Sequence, residues 1–348
     1  MGKTYTGIDT GSSFLKLAVC EDGALKKAII EPVPSGLIQD NKITSFDAMA
    51  DFIKRTISAH GGVDKDAALL LPNAVSLTRR LSLPLMTEAE LQLNLPYEFR
   101  DYITDGKDHY YYDYAVLGSN HTVVPDPVVG LAAPNETAGD QTLDLLAVAT
   151  RKDTLADYTA MCRRAGLKLR TALPYAAALQ NIVSDSGKNG SVQAPANCCI
   201  IDFGSESTSL YFFMGGTYDV TRAIDIGGRA VDDALADVFG IDEHTAVIHK
   251  ESNYEGAQNH EAVLAVCESL AVEIGRALNF YSFNNPDASI DAVYYSGGGV
   301  LLEPLLAMVR NHIDVPLVDI FEILPPAQGA AADAHSRCSG AIGATMME

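Results

Sequence analysis

Two segments about half a chain apart carry the residues whose types and spacing point most directly to chemistry. Residues 7–19 read GIDTGSSFLKLAV and residues 199–213 read CIIDFGSESTSLYFF. Each has an apolar run, Asp-x-Gly-Ser and then an alternating apolar strand. Such a glycine turn between two strands presents backbone N–H groups and hydroxyls to an anion. One turn alone is ordinary, but two facing turns would clamp a polyphosphate. The predicted phosphate-binding residues are Gly11, Ser12, Ser13, Gly204 and Ser205.

Charged residues accompany both turns. Asp9 and Asp202 each precede a turn, and Lys16 follows Asp9 by seven residues on the outgoing strand. Mg²⁺ prefers one or two carboxylates together with water and phosphate oxygens, so both aspartates suit a hydrated Mg²⁺. The ammonium of Lys16 would act on the β- and γ-phosphates as a point charge. The sequence therefore predicts a metal site at Asp9 and Asp202, reached through water.

A third glycine-rich turn follows a predicted strand at 292–295. It reads Ser296-Gly-Gly-Gly299 and leads into a helix that begins near Leu301. This arrangement lets the backbone approach a ligand closely, and the helix N-terminus favours polar or anionic groups. A packing turn has the same appearance, but its place after the repeated motif favours an adenosine site at Gly297, Gly298 and Gly299.

The elements that must position these turns form two similar halves. A strand enters each Asp-x-Gly-Ser turn and a second strand leaves it, and repetition at this spacing predicts two similar lobes. The polar segment 184–196 separates the halves as a hinge. We predict a first lobe at 1–183, with an inserted subdomain at about 78–166 and a C-terminal helix, 338–348, that returns to this lobe. The second lobe is predicted at 184–337, with a subdomain at about 228–284.

Composition excludes several classes of protein. The 348 residues include 45 acidic and 25 basic side chains, a formal charge of −20, and no basic cluster. Such a chain repels nucleic acid and anionic lipid.

The six cysteines lack metal or disulfide spacing, which favours buried free thiols in a reducing cytosol. No apolar run of about 18 residues occurs, so we expect a soluble protein without direct membrane insertion. The eight histidines are scattered, and no metal is assigned beyond nucleotide-borne Mg²⁺.

These residues together resemble the superfamily of actin, heat-shock chaperones and sugar kinases. Within it, the chain is similar to the PilM family, cytoplasmic actin-like proteins of type IV pilus assembly that are related to the cell-division protein FtsA. The resemblance rests on the two phosphate motifs and on TRRLSLPLMTEAEL (78–91), DIGG (225–228), LAVEIGRALNFY (270–281) and SGGGVLLEPL (296–305). It implies a two-lobed α/β fold of the actin-like, ribonuclease-H-like ATPase class, with an FtsA-type subdomain inserted in the first lobe and ATP and Mg²⁺ in the cleft.

The resemblance also implies roles for further residues. Thr208, Gly227 and Gly228 join the nucleotide site, and Glu273 is placed to meet the ribose or the adenine. A solvated helix face is the other interpretation of Glu273. Gln180 resembles the glutamine of actin that orients the attacking water, a catalytic role; a helix-surface or capping amide is the alternative. We therefore expect ATP binding with weak or no ATPase activity.

A partner surface is implied as well. PilM-like proteins bind the cytoplasmic N-terminal peptide of the inner-membrane protein PilN in a groove between the inserted subdomain and its lobe. Other pilus-assembly proteins, including a motor ATPase, are expected partners, and the chain would lie at the inner face of the cell membrane. The chain departs from the family at Thr104-Asp105-Gly106, where proline is usual, and in the long loop 118–143. The predicted groove residues are Arg79, Arg80, Leu81, Leu83, Leu95, Phe99, Leu146 and Val148.

Two alternatives use the same cleft. An FtsA-like division protein would carry a basic amphipathic membrane helix, whereas this sequence ends SGAIGATMME. A sugar or acetate kinase would need a carboxylate beside an acceptor hydroxyl, for which Asp113 and Asp144 are the candidates.

Overall fold

The strands of the chain belong to three main sheets and one short hairpin. A computed structural model describes residues 3–117, 142–286, 289–327 and 334–346. Most of the predicted loop 118–143, and the last two residues of the predicted C-terminal helix, lie outside the described residues. The strands are β1 (Thr4–Thr10), β2 (Phe14–Glu21), β3 (Ala24–Pro32), β4 (Ile38–Gln39), β5 (Lys42–Ile43), β6 (Asp66–Leu71), β7 (Ser76–Pro84), β8 (Tyr110–Val116), β9 (Thr142–Arg151), β10 (Lys168–Pro174), β11 (Cys198–Phe203), β12 (Thr208–Met214), β13 (Thr217–Ile224), β14 (Ala292–Gly297) and β15 (Leu317–Asp319).

Helices connect and cover these strands. The α-helices are α1 (Phe46–Ala59), α2 (Glu88–Glu98), α3 (Lys152–Arg164), α4 (Tyr175–Asp185), α5 (Gly228–Phe239), α6 (Glu243–Ser252), α7 (Glu261–Asn284), α8 (Glu303–His312) and α9 (Ser339–Thr345). Short 3-10 helices cover Lys107–His109, Tyr254–Asn259, Gly298–Leu301, Ile320–Ile323 and Ser336–Cys338. None of the helices in the described part of the chain is long and apolar enough to cross a bilayer.

The two large sheets share one topology. The first has the strand order β10-β6-β1-β2-β3 and the second has the order β15-β14-β11-β12-β13. In both, three antiparallel strands joined in sequence are followed by two strands that pair in parallel. The central strands are apolar and almost wholly buried because helices cover both faces. The repeated motif thus corresponds to a repeated sheet, and the two-lobed α/β fold is confirmed.

A third sheet, β7-β9-β8, lies between β6 and β10 in the sequence. Helix α2 packs on one of its faces, and a capping box of Thr87 and Glu90 begins this helix. The buried residues of α2 and the facing strand residues form one core. Three of the predicted partner residues, Leu81, Leu95 and Phe99, belong to that core and are not presented to a partner. Their apolar spacing reflects packing within the subdomain, because a helix on a small sheet must bury one face.

Helix α9 packs against the first large sheet and α4. Its residues SGAIGAT are all buried. A side chain at Gly7 would overlap the carbonyl oxygen of Ala341, and one at Gly343 would overlap the carbonyl oxygen of Ala178. Small residues are therefore required on both sides of this contact. All six cysteines of the chain are buried free thiols.

Candidate functional site

The two Asp-x-Gly-Ser turns face each other across a cleft between the large sheets. The hydroxyls of Ser13 and Ser205 share a hydrogen bond of 2.6 Å, although 192 residues separate them in sequence. The cleft encloses about 200 Å³, enough for a small ligand rather than single waters. The predicted residues that line it are Asp9, Gly11, Ser12, Ser13, Lys16, Asp202, Gly204, Ser205, Gly228, Gly298 and Gly299.

Three charged groups lie at the base of the cleft. The β1–β2 register places Lys16 opposite Asp9, and the Lys16 Nζ lies 3.2 Å from the Asp9 Oδ2. Burial alone would lower the pKa of Lys16, but the carboxylates of Asp9 and Asp202 outweigh it, so this pKa lies above its ordinary value. Burial raises the pKa of Asp202 against the opposing attraction of Lys16. The ammonium therefore pairs with Asp9 of its own lobe and also attracts the Asp202 carboxylate of the other lobe.

The Asp202 carboxylate has unused capacity. Its Oδ1 is buried and accepts no hydrogen bond from any described residue. Burying a carboxylate oxygen without a hydrogen-bond partner costs free energy. A hydrated divalent cation would satisfy this oxygen, because its bound water molecules can donate hydrogen bonds to it. The residues present therefore fit a metal ion held between Asp9 and Asp202.

Glycines bring the backbone close to these groups. Gly297 has a φ of 88°, and a Cβ there would lie 2.5 Å from the Asp202 Oδ1. A Cβ at Gly299 would lie 2.5 Å from the Cβ of Phe203. The third glycine-rich turn therefore packs directly against β11, the strand that ends in the second phosphate turn. Gly297 does not line the cleft; it determines how closely β14 approaches Asp202.

The Gly227-Gly228 turn supports the second phosphate turn from behind. Gly228 N donates to Gly204 O at 2.9 Å, and the next residue, Arg229, donates to Ser205 O at 2.8 Å. The Thr208 hydroxyl donates to Ile226 O at 2.9 Å. Thr208 and Gly227 line a cavity of about 10 Å³ that shares its wall with the cleft. These two residues thus hold the turn in place and do not line the cleft itself.

Two further predicted residues, Gln180 and Glu273, lie away from the cleft. Gln180 donates to Ser184 Oγ at 2.9 Å and to Gly216 O at 3.0 Å, and its Oε1 accepts from Tyr218 N at 2.5 Å. Both ends of the amide are engaged, so Gln180 links α4 to the β12–β13 turn and does not face a water in the cleft. Glu273 pairs with Arg276 on the exposed surface of α7 at 2.5 Å. The kinase candidates, Asp113 and Asp144, also lie outside the cleft lining.

Sequence reasoning missed several residues that line the cleft, among them Asn41, Tyr175, Lys250 and Glu251. The Lys250 ammonium donates to Asp232 Oδ2 at 2.7 Å and to Gly228 O at 3.2 Å. Burial raises the pKa of Asp232 to about 6, although Lys250 opposes this. No local motif marks Lys250 as a cleft residue, because it reaches the glycine turn only through the packing of α6 on α5. Asn41 sits at the tip of the β4–β5 hairpin and accepts from Ser12 Oγ at 2.5 Å.

The two arginines predicted to line the groove for a protein partner, Arg79 and Arg80, bond to other residues of this chain. Arg79 donates to Glu98 O at 2.5 Å and lies over the Tyr102 ring, which fixes the end of α2. Arg80 pairs with Asp144 at 3.2 Å and with Asp219 of the second lobe at 3.0 Å.

The other partner candidates differ in exposure. Leu146 is buried in the core that includes residues of the second sheet. Leu83 and Val148 are partly exposed, and Thr78, opposite Val148, has a buried hydroxyl that bonds to no described residue.

Comparison with known proteins identifies the family. A model described as "Type IV pilus assembly protein PilM" matches residues 7–334. The chain is similar to a solved "PilM-PilN type IV pilus biogenesis complex", with a TM-score of 0.76 and 21% identity over 97% of this chain and 96% of that chain. It is also similar to ethanolamine utilization protein EutJ from Carboxydothermus hydrogenoformans, with a TM-score of 0.60 and 13% identity over 100% and 91% of the two chains. The structural likenesses show the fold, and the family match over most of the chain shows that it belongs to the PilM family of type IV pilus assembly proteins.

Proposed function

We propose that this chain is a nucleotide-holding scaffold of type IV pilus assembly. The observation that carries the proposal is the pair of matched turns that meet at Ser13 and Ser205, with Lys16 paired to Asp9 at 3.2 Å at the base of the cleft. The backbone amides and hydroxyls of the turns would bind the phosphates of ATP, and Lys16 would balance their charge. Asp9 and Asp202 would hold Mg²⁺ through water. The metal supplies charge neutralisation for the phosphates.

The scaffold holds ATP rather than turning it over rapidly. Gln180 is engaged elsewhere, and the other cleft carboxylates have partners: Glu206 pairs with Arg229 at 2.9 Å and Glu251 with Arg337 at 2.8 Å. The amides of Asn41 and Asn73, which also line the cleft, each take part in a hydrogen bond, with Ser12 Oγ at 2.5 Å and with the Tyr211 hydroxyl at 3.1 Å. We expect turnover well below one per second, since positioning the attacking water is a main task of the protein in phosphoryl transfer.

The proposed partner is the cytoplasmic N-terminal peptide of a PilN-like membrane protein. The complex whose structure resembles this chain contains PilN. We place the peptide on the face of the β7-β9-β8 sheet opposite α2, where Val148 is partly exposed. The unpartnered Thr78 hydroxyl lies beside it and would bond to a peptide backbone group. Through this partner the chain would lie at the inner face of the membrane, near other pilus proteins such as a motor ATPase.

Nucleotide binding is tested with a fluorescent ATP analogue and Mg²⁺. Asp202→Asn keeps the shape of the side chain and removes its charge, and we expect the Kd to rise at least about tenfold, since a charge-assisted contact is lost. Asp108→Asn, far from the cleft, is the matched control and should leave the Kd unchanged. Equal affinity for both variants would refute the assignment of the cleft, provided that both melt like the wild type.

Peptide binding is tested by fluorescence anisotropy with the labelled N-terminal peptide of the PilN-like protein from the same source. Val148→Arg places a charge on the proposed surface, and we expect at least about tenfold weaker binding, because the unpaired charge would be desolvated. Leu93→Arg is the control, since Leu93 is 71% exposed on α2, on the other side of the sheet. If the Leu93 variant alone lost the peptide, the surface would lie on α2 instead.

A further inference from the structure

An exposed aromatic and histidine cluster lies where α5, α6 and the 3-10 helix after α6 meet. We call Phe239, His249, Tyr254 and His260 the tip patch. The ring centroid of Phe239 lies 6.2 Å from that of His249 and 5.6 Å from that of His260. The ring centroids of His249 and Tyr254 are 4.5 Å apart. The four rings therefore form one continuous surface. None of them lines the nucleotide cleft.

This surface is apolar and open to solvent. Phe239 is 42% exposed and Tyr254 is 52% exposed. Val238, which precedes Phe239, is 43% exposed, and Ile248, which precedes His249, is 51% exposed. Single exposed apolar residues need no explanation, but a cluster of them marks an interaction site. Tyr254 precedes Glu255, a non-glycine residue with a φ of 49°. Such backbone strain persists at sites of function.

The charge around the tip patch indicates what would bind it. Residues 230–262 contain eight acidic side chains and one lysine, and that lysine, Lys250, pairs with Asp232 at 2.7 Å. Asp237 and Glu255 are exposed next to the patch in sequence. An anionic membrane, or a second copy of this chain with its formal charge of −20, would meet like charge here. A cationic partner would meet complementary charge and aromatic faces on which arginine or lysine can stack.

We propose that the tip patch docks a basic amphipathic segment of a protein partner. Apolar side chains of the segment pack on the exposed faces of Phe239 and Tyr254, and its lysines or arginines pair with Asp237 and Glu255. Helix α6 also carries Lys250 and Glu251 in the cleft, so this surface and the cleft belong to one element.

The first test is a photo-crosslink in cells of the source. A benzoylphenylalanine replaces Tyr254, and mass spectrometry identifies the peptide attached to it. Phe283, exposed at the end of α7, is the control position. We expect the residue at position 254 to crosslink to one segment that has a net positive charge and apolar residues, and the residue at position 283 not to crosslink to it. An acidic segment, a second copy of the chain, lipid, or no adduct at all would overturn it.

The second test uses that segment as a synthetic peptide in anisotropy titrations with the full chain. The double variant Asp237→Lys, Glu255→Lys alters only exposed side chains, and we expect at least about tenfold weaker binding and a reversed dependence on salt. Phe239→Ser should weaken binding by a similar factor without changing the salt dependence. Unchanged affinity in the charge variant, with an unchanged melting temperature, would show that the segment binds elsewhere.

Discussion

Serine hydroxyls in the first phosphate turn are already engaged within the protein. A hydroxyl has one proton to donate. Ser12 donates its proton to Asn41 Oδ1, and Ser13 shares a hydrogen bond with Ser205. A phosphate in the cleft must therefore compete with Asn41 for the Ser12 proton, whereas the Ser13–Ser205 bond uses only one of its two hydroxyl protons. The affinity of the proposed site for phosphate would reflect this competition as well as the new contacts.

The competition at Ser12 can be measured through Asn41. Asp40 and Asn41 have φ values of 51° and 57°, so Asn41→Gly removes the amide and keeps the turn. Freeing the Ser12 proton should tighten Mg-ATP binding by roughly threefold to tenfold, since a net hydrogen bond is worth about 1 kcal/mol. Titration of the fluorescent analogue measures the Kd, and Asp40→Gly in the same turn is the control. Weaker binding would mean that Asn41 positions Ser12 instead of competing for its proton.

A second residue-level prediction concerns pH. Burial raises the pKa of Asp232 from 3.8 to about 6, so the folded state binds this proton more tightly than the unfolded state. The contribution of Asp232 to stability is therefore largest at low pH and falls as the pH rises from about 4 to 6. Relative to Asp232→Asn, which cannot titrate, the free energy of unfolding of the wild type should fall by on the order of 2 kcal/mol over that range. Urea unfolding between pH 5 and 7.5 would sample the upper part of it, and parallel curves for the two proteins would contradict the pKa shift.

At the scale of elements, the sequence predicts the strands and turns that a repeated motif specifies. It does not predict the orientations of helices that depend on tertiary packing. The repeated Asp-x-Gly-Ser motif predicts two equivalent sheets because strand, turn and strand are local. The helix at Gln180 is equally local, but its rotation against β12 and β13 is not, and that rotation turns the amide away from the cleft. Phe99, predicted to line the partner groove, belongs to the apolar stripe that packs inside the subdomain. Sequence alone does not say whether such a stripe faces a partner or the protein's own sheet.

The contact between α9 and α4 gives an element-level prediction. A Cβ on Gly343 would overlap the backbone of Ala178, so Gly343→Ala must displace one helix from the other. Overpacking of this kind costs about 1–3 kcal/mol, which urea unfolding would detect. Gly106→Ala is a suitable control, because its φ is −60° and the nearest atom to a new Cβ is 3.7 Å away. Equal stability of the two variants would mean that α9 shifts at no cost.

For the whole molecule, the decisive contacts join the inserted sheet to the second lobe. Arg80 on β7 bridges Asp144 of the same sheet and Asp219 of β13. Asp219 also accepts from the Tyr281 hydroxyl of α7 at 2.9 Å. This network connects the proposed peptide surface to the lobe that carries Asp202. If ATP changes how the lobes meet, Arg80 and Asp219 are the groups through which the peptide would sense it.

Asp219→Asn tests this connection, because it weakens the contact between the lobes and leaves Arg80 paired with Asp144. We expect Mg-ATP to tighten peptide binding by the wild type roughly fivefold or more, as typical coupling energies allow, and to have little effect on the variant. Binding energies couple reciprocally, so the peptide should tighten ATP binding by the same factor in the wild type alone. Asp113→Asn, on the same sheet but outside the network, should behave like the wild type. A variant that binds peptide as the wild type does, with the full effect of ATP, would place the coupling between the two sites somewhere other than Asp219.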